Sequence, residues 1–137
     1  MFGTLKAKTI FVFDMKLEDQ VVSLELSKRL KELGVKQDSL FSWYETSNHF
    51  FFVSANLNST LETAFAYTVA ELGHLLPKYD FAIRSNFYNG KWSVCATPIQ
   101  RGIGAGMPPT YCEKADTEAD ARSKMLIYLI ENNLMTV

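Results

Sequence analysis

Histidine and cysteine each occur only twice in the 137 residues, and proline only four times. His49 and His74 stand apart from each other and from the cysteines. No His-x-x-x-His or Cys-x-x-Cys spacing is present, so no local metal motif is written into the chain and no metal or cofactor is expected. Cys95 and Cys112 could pair, but a chain of this size without a secretion signal is expected to keep them reduced. Charge of one sign is also missing. A formal net charge of −1 supplies no field that would draw the protein to nucleic acid or to an anionic membrane. No apolar run approaches the roughly 20 residues that span a bilayer. The opening Met1-Phe2-Gly3-Thr4-Leu5-Lys6 reaches a charge too soon for a secretion signal. The expected location is therefore the cytoplasm, with no membrane partner. Repeats and low-complexity segments are absent.

What is present is the composition of an ordinary globular protein, 47% hydrophobic and 21% charged. A chain of this length suits one domain, 1–137, and can bury roughly 68% of its unfolded surface, enough for a core without a metal or a disulfide. Residues 8–15 are β-branched and aromatic, with apolar side chains on both faces, and read as a strand covered on both sides. Val22, Leu26, Leu30 and Leu33 form a helical stripe with Ser23 as a candidate N-cap and Gly34 as the stop, giving a helix over roughly 20–33. Residues 40–45 and 49–55 read as an aromatic hairpin across Thr46-Ser47-Asn48. Residues 56–67 are ambiguous between loop and a helical turn. Thr68-Val69-Ala70-Glu71 is a capping box that opens a helix over 69–76, stopped by Pro77.

Residues 80–88 and 91–98 form the clearest hairpin, turning at Asn89-Gly90, where both residues tolerate positive φ. Phe81, Ile83, Phe87, Trp92, Val94 and Ala96 alternate onto one face and are expected to be buried. Residues 101–109 are a loop by composition, and 110–113 can add a short strand. The segment 115–133 closes the chain as a helix. Thr117 can accept from the Asp120 amide, and the Asp120 acid can answer back to complete a capping box. Acids at 116, 118 and 120 suit the helix dipole. The fold class predicted is α+β: a mainly antiparallel sheet of about five strands with about three helices, in the order β-α-β-β-α-β-β-α.

The candidate chemistry is sparse. Gly102-Ile103-Gly104-Ala105-Gly106 lacks the spacing of a dinucleotide fingerprint, is followed by Pro108-Pro109, and is not followed by the Lys-Ser or Lys-Thr of a phosphate loop. It reads as a connecting loop, with Arg101 beside it as a small anion-binding possibility. Cys95 or Cys112 could be drawn with His49 as a nucleophile pair, but nothing local activates a thiolate. Glu45, Asp80 and Glu113 lie near strand ends, where surface solvation is the ordinary role. A polar sheet face with Glu45, Asp80, Arg84, Lys91 and Arg101 is the candidate ligand-binding set. Trp43, Tyr44, Phe50, Phe52, Tyr88 and Trp92 could stack single-stranded nucleic acid, but such platforms normally carry a basic groove. Core packing accounts for most of these rings. Phe41, Trp43, Tyr44, Phe50 and Phe52 on the first hairpin are the candidate interface set.

The stretches 23–35, Thr68-Val69-Ala70-Glu71-Leu72-Gly73 and 115–133 together resemble small uncharacterised proteins encoded by bacterial prophages and mobile elements. The resemblance rests on helix caps and helix faces and brings no catalytic residues with it. It implies a mobile-element origin and a bacterial host cytoplasm. The expected function is that of a non-enzymatic accessory protein acting by protein–protein interaction, as a homo-oligomer or with another protein. A homodimer would use the 40–53 aromatics or a sheet edge. The alternatives are a small hydrolase or ligand-binding enzyme using the polar sheet face, and a weak binder of single-stranded nucleic acid.

Overall fold

The computed structural model describes residues 16–36, 38–55, 61–99 and 109–137. The strand expected over 8–15 and residues 101–108 of the glycine-rich stretch, Arg101 included, lie outside the described residues. The described elements are α1 (Leu17–Gln20), α2 (Leu24–Glu32), β1 (Phe41–Glu45), β2 (Phe51–Ala55), β3 (Glu62–Phe65), α3 (Val69–Leu75), β4 (Phe81–Tyr88), β5 (Lys91–Pro98), β6 (Tyr111–Ala115) and α4 (Glu118–Glu131). The class is α+β, as expected. The six described strands, however, divide into two antiparallel sheets, ordered β2-β1-β3 and β4-β5-β6, rather than one sheet of about five.

The helix read over 20–33 is two pieces. A single turn, α1, is followed at Val21 by an isolated antiparallel bridge to Thr68, and Val22 N–H donates to the Tyr67 carbonyl at 2.9 Å. This extended pairing interrupts the helix, so α2 begins only at Leu24. Ser23 is its N-cap residue, but the side chain makes no capping bond. The C-terminus follows local rules. Gly34 takes φ +84°, Gly34 N–H donates to the Lys31 carbonyl, and Val35 N–H reaches back to the Leu30 carbonyl. Those two bonds complete a Schellman motif, and its two apolar ends, Leu30 and Val35, are both buried.

β1 and β2 form the predicted hairpin, with His49 at φ +59° in the turn and Thr46 N–H donating to the Phe50 carbonyl. The ambiguous stretch 56–67 contains β3, which pairs with the other edge of β1 across a register irregularity at Trp43/Tyr44. Four residues beginning with Glu carry too little alternation to announce a strand; pairing with β1 makes them one.

The α3 capping box is complete in both directions. Glu71 N–H donates to Thr68 Oγ1 at 3.2 Å, and Thr68 N–H donates to Glu71 Oε1 at 2.9 Å. The same carboxylate also accepts from Ser39 Oγ at 2.9 Å and from Leu40 N–H at 3.1 Å, tying the entry of β1 to the start of α3. Glu71→Ala removes the acceptor from all three donors at once. Its expected cost is about 2–3 kcal/mol, read as a lowered midpoint in urea unfolding. Thr117→Ala, which removes one cap acceptor, should cost about 1 kcal/mol.

α4 keeps half of its expected box. Thr117 Oγ1 accepts from Asp120 N–H at 3.1 Å. The Asp120 carboxylate does not return to its own helix. It accepts from Ser23 N–H at 2.7 Å, a residue 97 positions away, so it caps the start of α2 instead. At the far end Asn133 takes φ +56°, and the bonds Asn133 N–H to Ile130 O and Leu134 N–H to Leu129 O form a second Schellman motif.

The main core lies between the β4-β5-β6 sheet and the helices. Val94, Ala96, Phe81 and Ala115 from the sheet meet Met125, Leu126, Leu129, Ala119 and Ala121 of α4, Leu72 of α3 and Leu30 of α2. α4 packs chiefly over β5 and β6. A smaller cluster joins Val21, Trp43 and Ala66 to Leu17, Leu24, Phe41, Phe51 and Val53. It fastens the first sheet to α1 and α2.

Candidate functional site

The β4–β5 hairpin positions the features of most interest. Asn89 (φ +52°) and Gly90 (φ +75°) close a two-residue turn of the primed type that matches strand twist. Register then sets the faces, because residues directly opposite share one. Ile83 opposes Ala96, Ser85 opposes Val94 and Phe87 opposes Trp92 on the helix-facing side. Arg84 opposes Cys95, which in turn opposes Cys112 on the outer side. Burial follows this pattern with one correction. Phe87, expected in the core, is 59% exposed, because it lies towards the hairpin tip, where its packing is against Trp92 at 5.3 Å between ring centres.

β4 is an edge. Among the described residues its eight residues pair with β5 alone. Its last two side chains, Phe87 and Tyr88, are exposed. Ser85, at its middle, carries the only buried side-chain polar atom among the described residues that has no hydrogen-bond partner. Such an atom costs stability unless something outside the chain satisfies it.

A cleft of about 650 Å³ opens beside this hairpin, between the two sheets. Its apolar wall is Leu17, Phe41, Val69 and Trp92, and Asp19, Asp116 and Glu118 stand in its lining. Thr68 and Thr117 also line it, but both hydroxyls already accept helix-capping bonds. Glu118 is held by Arg122 at 3.1 Å, and Asp116 pairs with Lys91 on the surface. Among its described lining residues the cleft therefore offers no nucleophile–base pair. Among the described residues no group of three or more His, Cys, Asp or Glu is placed to hold a metal ion. Five separated segments build the cleft, and no local signal marked it in the sequence.

The Asp116 carboxyl is held below its ordinary value, first by the hydrogen bond from Lys91 and then by the charges of Lys91 and Lys124. A depressed carboxylate stabilises the fold at pH above its unfolded value, and that contribution disappears as pH falls through the folded value. Full exposure keeps it small. An NMR titration of Asp116 should show a midpoint below the ordinary aspartate value of about 3.9, and Lys91→Met should return it to that value.

The ligand-binding candidates do not converge. Glu45 belongs to the first sheet, where its carboxylate lies 3.5 Å from His49 Nδ1. Asp80 and Lys91 stand at opposite ends of the β4–β5 hairpin, roughly 25 Å apart at about 3.3 Å per residue. Arg84 is exposed midway along it, and Lys91 is engaged with Asp116. The interface candidates are also scattered. Trp43 is buried at 8% exposure and donates from Nε1 to the Val22 carbonyl at 2.9 Å. Tyr44 is buried and stacks on Phe52 at 5.4 Å. Phe41 and Phe52 are half-buried, and only Phe50 is largely exposed.

The cysteines overturn an expectation. Cys95 and Cys112, read as reduced thiols, are joined in a disulfide between neighbouring strands, with Cα atoms 4.1 Å apart. Seventeen residues of sequence separate them, so only the β5–β6 register brings them face to face. Among the described residues no helix is long and apolar enough to cross a membrane. Comparison with family models, with curated proteins and with solved structures returned no match for this chain.

Proposed function

We propose that this chain is a non-enzymatic accessory protein that acts by protein–protein interaction, and that its first partner is a second copy of itself. The observation that carries the reading is the β4 edge, with an orphaned hydroxyl at its centre. Two β4 strands paired antiparallel about a two-fold axis form an isologous contact. Residues opposite one another must lie on the same face, so only some registers are allowed. Centring the axis on Arg84 would set two guanidinium groups against each other. Centring it on Ser85 sets Ser85 against Ser85 of the second copy, Ile83 against its Phe87, Arg84 against its Asn86, and Ala82 against its Tyr88.

Each of those pairs suits its face. Serine pairs across strands can hydrogen-bond, which satisfies the orphaned Oγ, and an aromatic opposite a β-branched residue is among the favourable cross-strand pairs. The result is one six-stranded sheet, β6-β5-β4-β4-β5-β6, with the long edge closed. The resemblance to prophage and mobile-element proteins supports an accessory role in a bacterial host. Sedimentation equilibrium tests the proposal. The expected mass is twice the 15.5 kDa of one chain, and a single-chain mass throughout the accessible concentration range would reject it.

A further inference from the structure

The outer face of the β4-β5-β6 sheet carries a pair of cysteines that the dimer contact does not use. Across its centre run Arg84, Cys95 and Cys112 in one row, one from each strand. The next row is Asn86, Ser93 and Lys114. Ser93 Oγ lies 3.7 Å from Cys95 Sγ. The charged and titratable groups on this face are Arg84 and Tyr88 from β4, Lys91 from β5 and Lys114 from β6. Among the described residues of these three strands it carries no carboxylate, and Asp116 reaches it only to meet Lys91. The two sulfurs are unequal. Cys112 is exposed and Cys95 half-buried between its neighbours.

We infer that Cys95–Cys112 is a thiol–disulfide exchange site, opened by attack of a cellular dithiol or of glutathione on Cys112. Four features support it: the exposed Cys112, Arg84 paired directly across the strands from Cys95, the Ser93 hydroxyl 3.7 Å from the Cys95 sulfur, and strands that present cations and no carboxylate on this face. An incoming thiolate reaches Sγ of Cys112 and forms a mixed disulfide there. The electron pair of the broken S–S bond leaves on Cys95 Sγ. That thiolate forms at the strand position opposite Arg84 and within reach of the Ser93 hydroxyl, and a stabilised leaving thiolate speeds exchange. The second thiolate of the dithiol then attacks its own sulfur in the mixed disulfide, closing the reductant's disulfide and releasing Cys112. Two electrons pass to the protein, and the two protons given up by the dithiol end on the two protein thiols. Glutathione does the same in two successive attacks, and its negative charge suits a face with three cations.

The cysteines lie on the side of the sheet opposite the Ser85 hydroxyl, but Arg84 borders both contacts, so each Arg84 variant is also sedimented and exchange rates are compared at equal dimer content. The test uses the full chain, with the thiol state read by alkylation and mass spectrometry. Oxidised glutathione should close the disulfide, and reduced glutathione or dithiothreitol should open it completely. Arg84→Gln should slow opening by dithiothreitol about threefold to tenfold, from the dependence of exchange on the leaving thiol, and Arg84→Lys should restore most of the rate. A second measurement does not depend on the disulfide. In Cys112→Ser the remaining Cys95 should react with iodoacetamide with a midpoint pH below the usual thiol value of about 8.5, and Arg84→Gln should move that midpoint up. Two thiols that stay free in oxidised glutathione, a disulfide that resists excess reduced glutathione, or equal rates with and without Arg84 would each overturn the inference.

Discussion

Ser85→Arg should turn the dimer into a monomer at concentrations where the unaltered protein is fully paired. The change places two guanidinium groups directly opposite each other at the two-fold axis, where cross-strand Cβ atoms stand about 4.5–5.5 Å apart. At an effective dielectric near 20, that repulsion is about 3 kcal/mol. The serine–serine hydrogen bond is lost as well. Together these weaken association by at least about two orders of magnitude, visible as a shift in sedimentation towards the single-chain mass. Ser85 faces the helices with a buried hydroxyl, so circular dichroism is used to establish that Ser85→Arg is folded before its mass is scored.

A gain-of-bond experiment complements the loss. In a chain with Cys95 and Cys112 changed to serine, Ser85→Cys should oxidise to a covalent dimer, because only a residue at a two-fold axis meets its own copy. If Ser85→Arg leaves the mass unchanged, the β4 register is wrong. If Ser85→Cys fails to cross-link while the protein still sediments as a dimer, the copies meet elsewhere.

Trp43→Ala should lower stability by about 3–5 kcal/mol without altering the assembly of the molecules that remain folded. Trp43 looks like an interface residue in the sequence because it sits in a strongly aromatic hairpin. Within the chain it packs in the smaller apolar cluster with Val21, Ala66, Leu17 and Leu24. Removing the ring opens a cavity between the first sheet and α1. It also takes a donor from the Val22 carbonyl, which keeps its bond from Ser27 Oγ at 3.2 Å. Trp43→Phe, which keeps most of the volume and loses only the N–H, should cost about 1 kcal/mol. Chemical denaturation read alongside sedimentation distinguishes the two roles. A Trp43→Ala protein of unchanged stability that no longer dimerised would put Trp43 on the interface after all.

The parts of this fold that were readable in the sequence share a short range. Gly34 stops α2, Thr68 and Glu71 open α3, Thr117 opens α4, and Asn89-Gly90 closes the β4–β5 turn. Each signal joins atoms a few residues apart, so the neighbouring residues alone determine it. Alternation along β4 and β5 likewise assigned the buried and outer faces, save for Phe87. Of the candidate site, only the outer-face position of Arg84 and Lys91 was legible, and not their lack of a common pocket.

By itself, then, the sequence determined the α+β class, the stop of α2, the starts of α3 and α4 and the hairpin turns, because local hydrogen bonds and backbone preferences need no distant partner. Tertiary structure alone decided the rest. It split the strands into two sheets, turned residues 62–65 into β3 and lent the Asp120 carboxylate to Ser23. It also set Cys95 against Cys112 and, among the described residues, left the Ser85 hydroxyl without a partner on an open edge. Each of these depends on which strand lies beside which. Strand order is set by burying apolar surface across the whole chain, and no window of neighbouring residues contains that information.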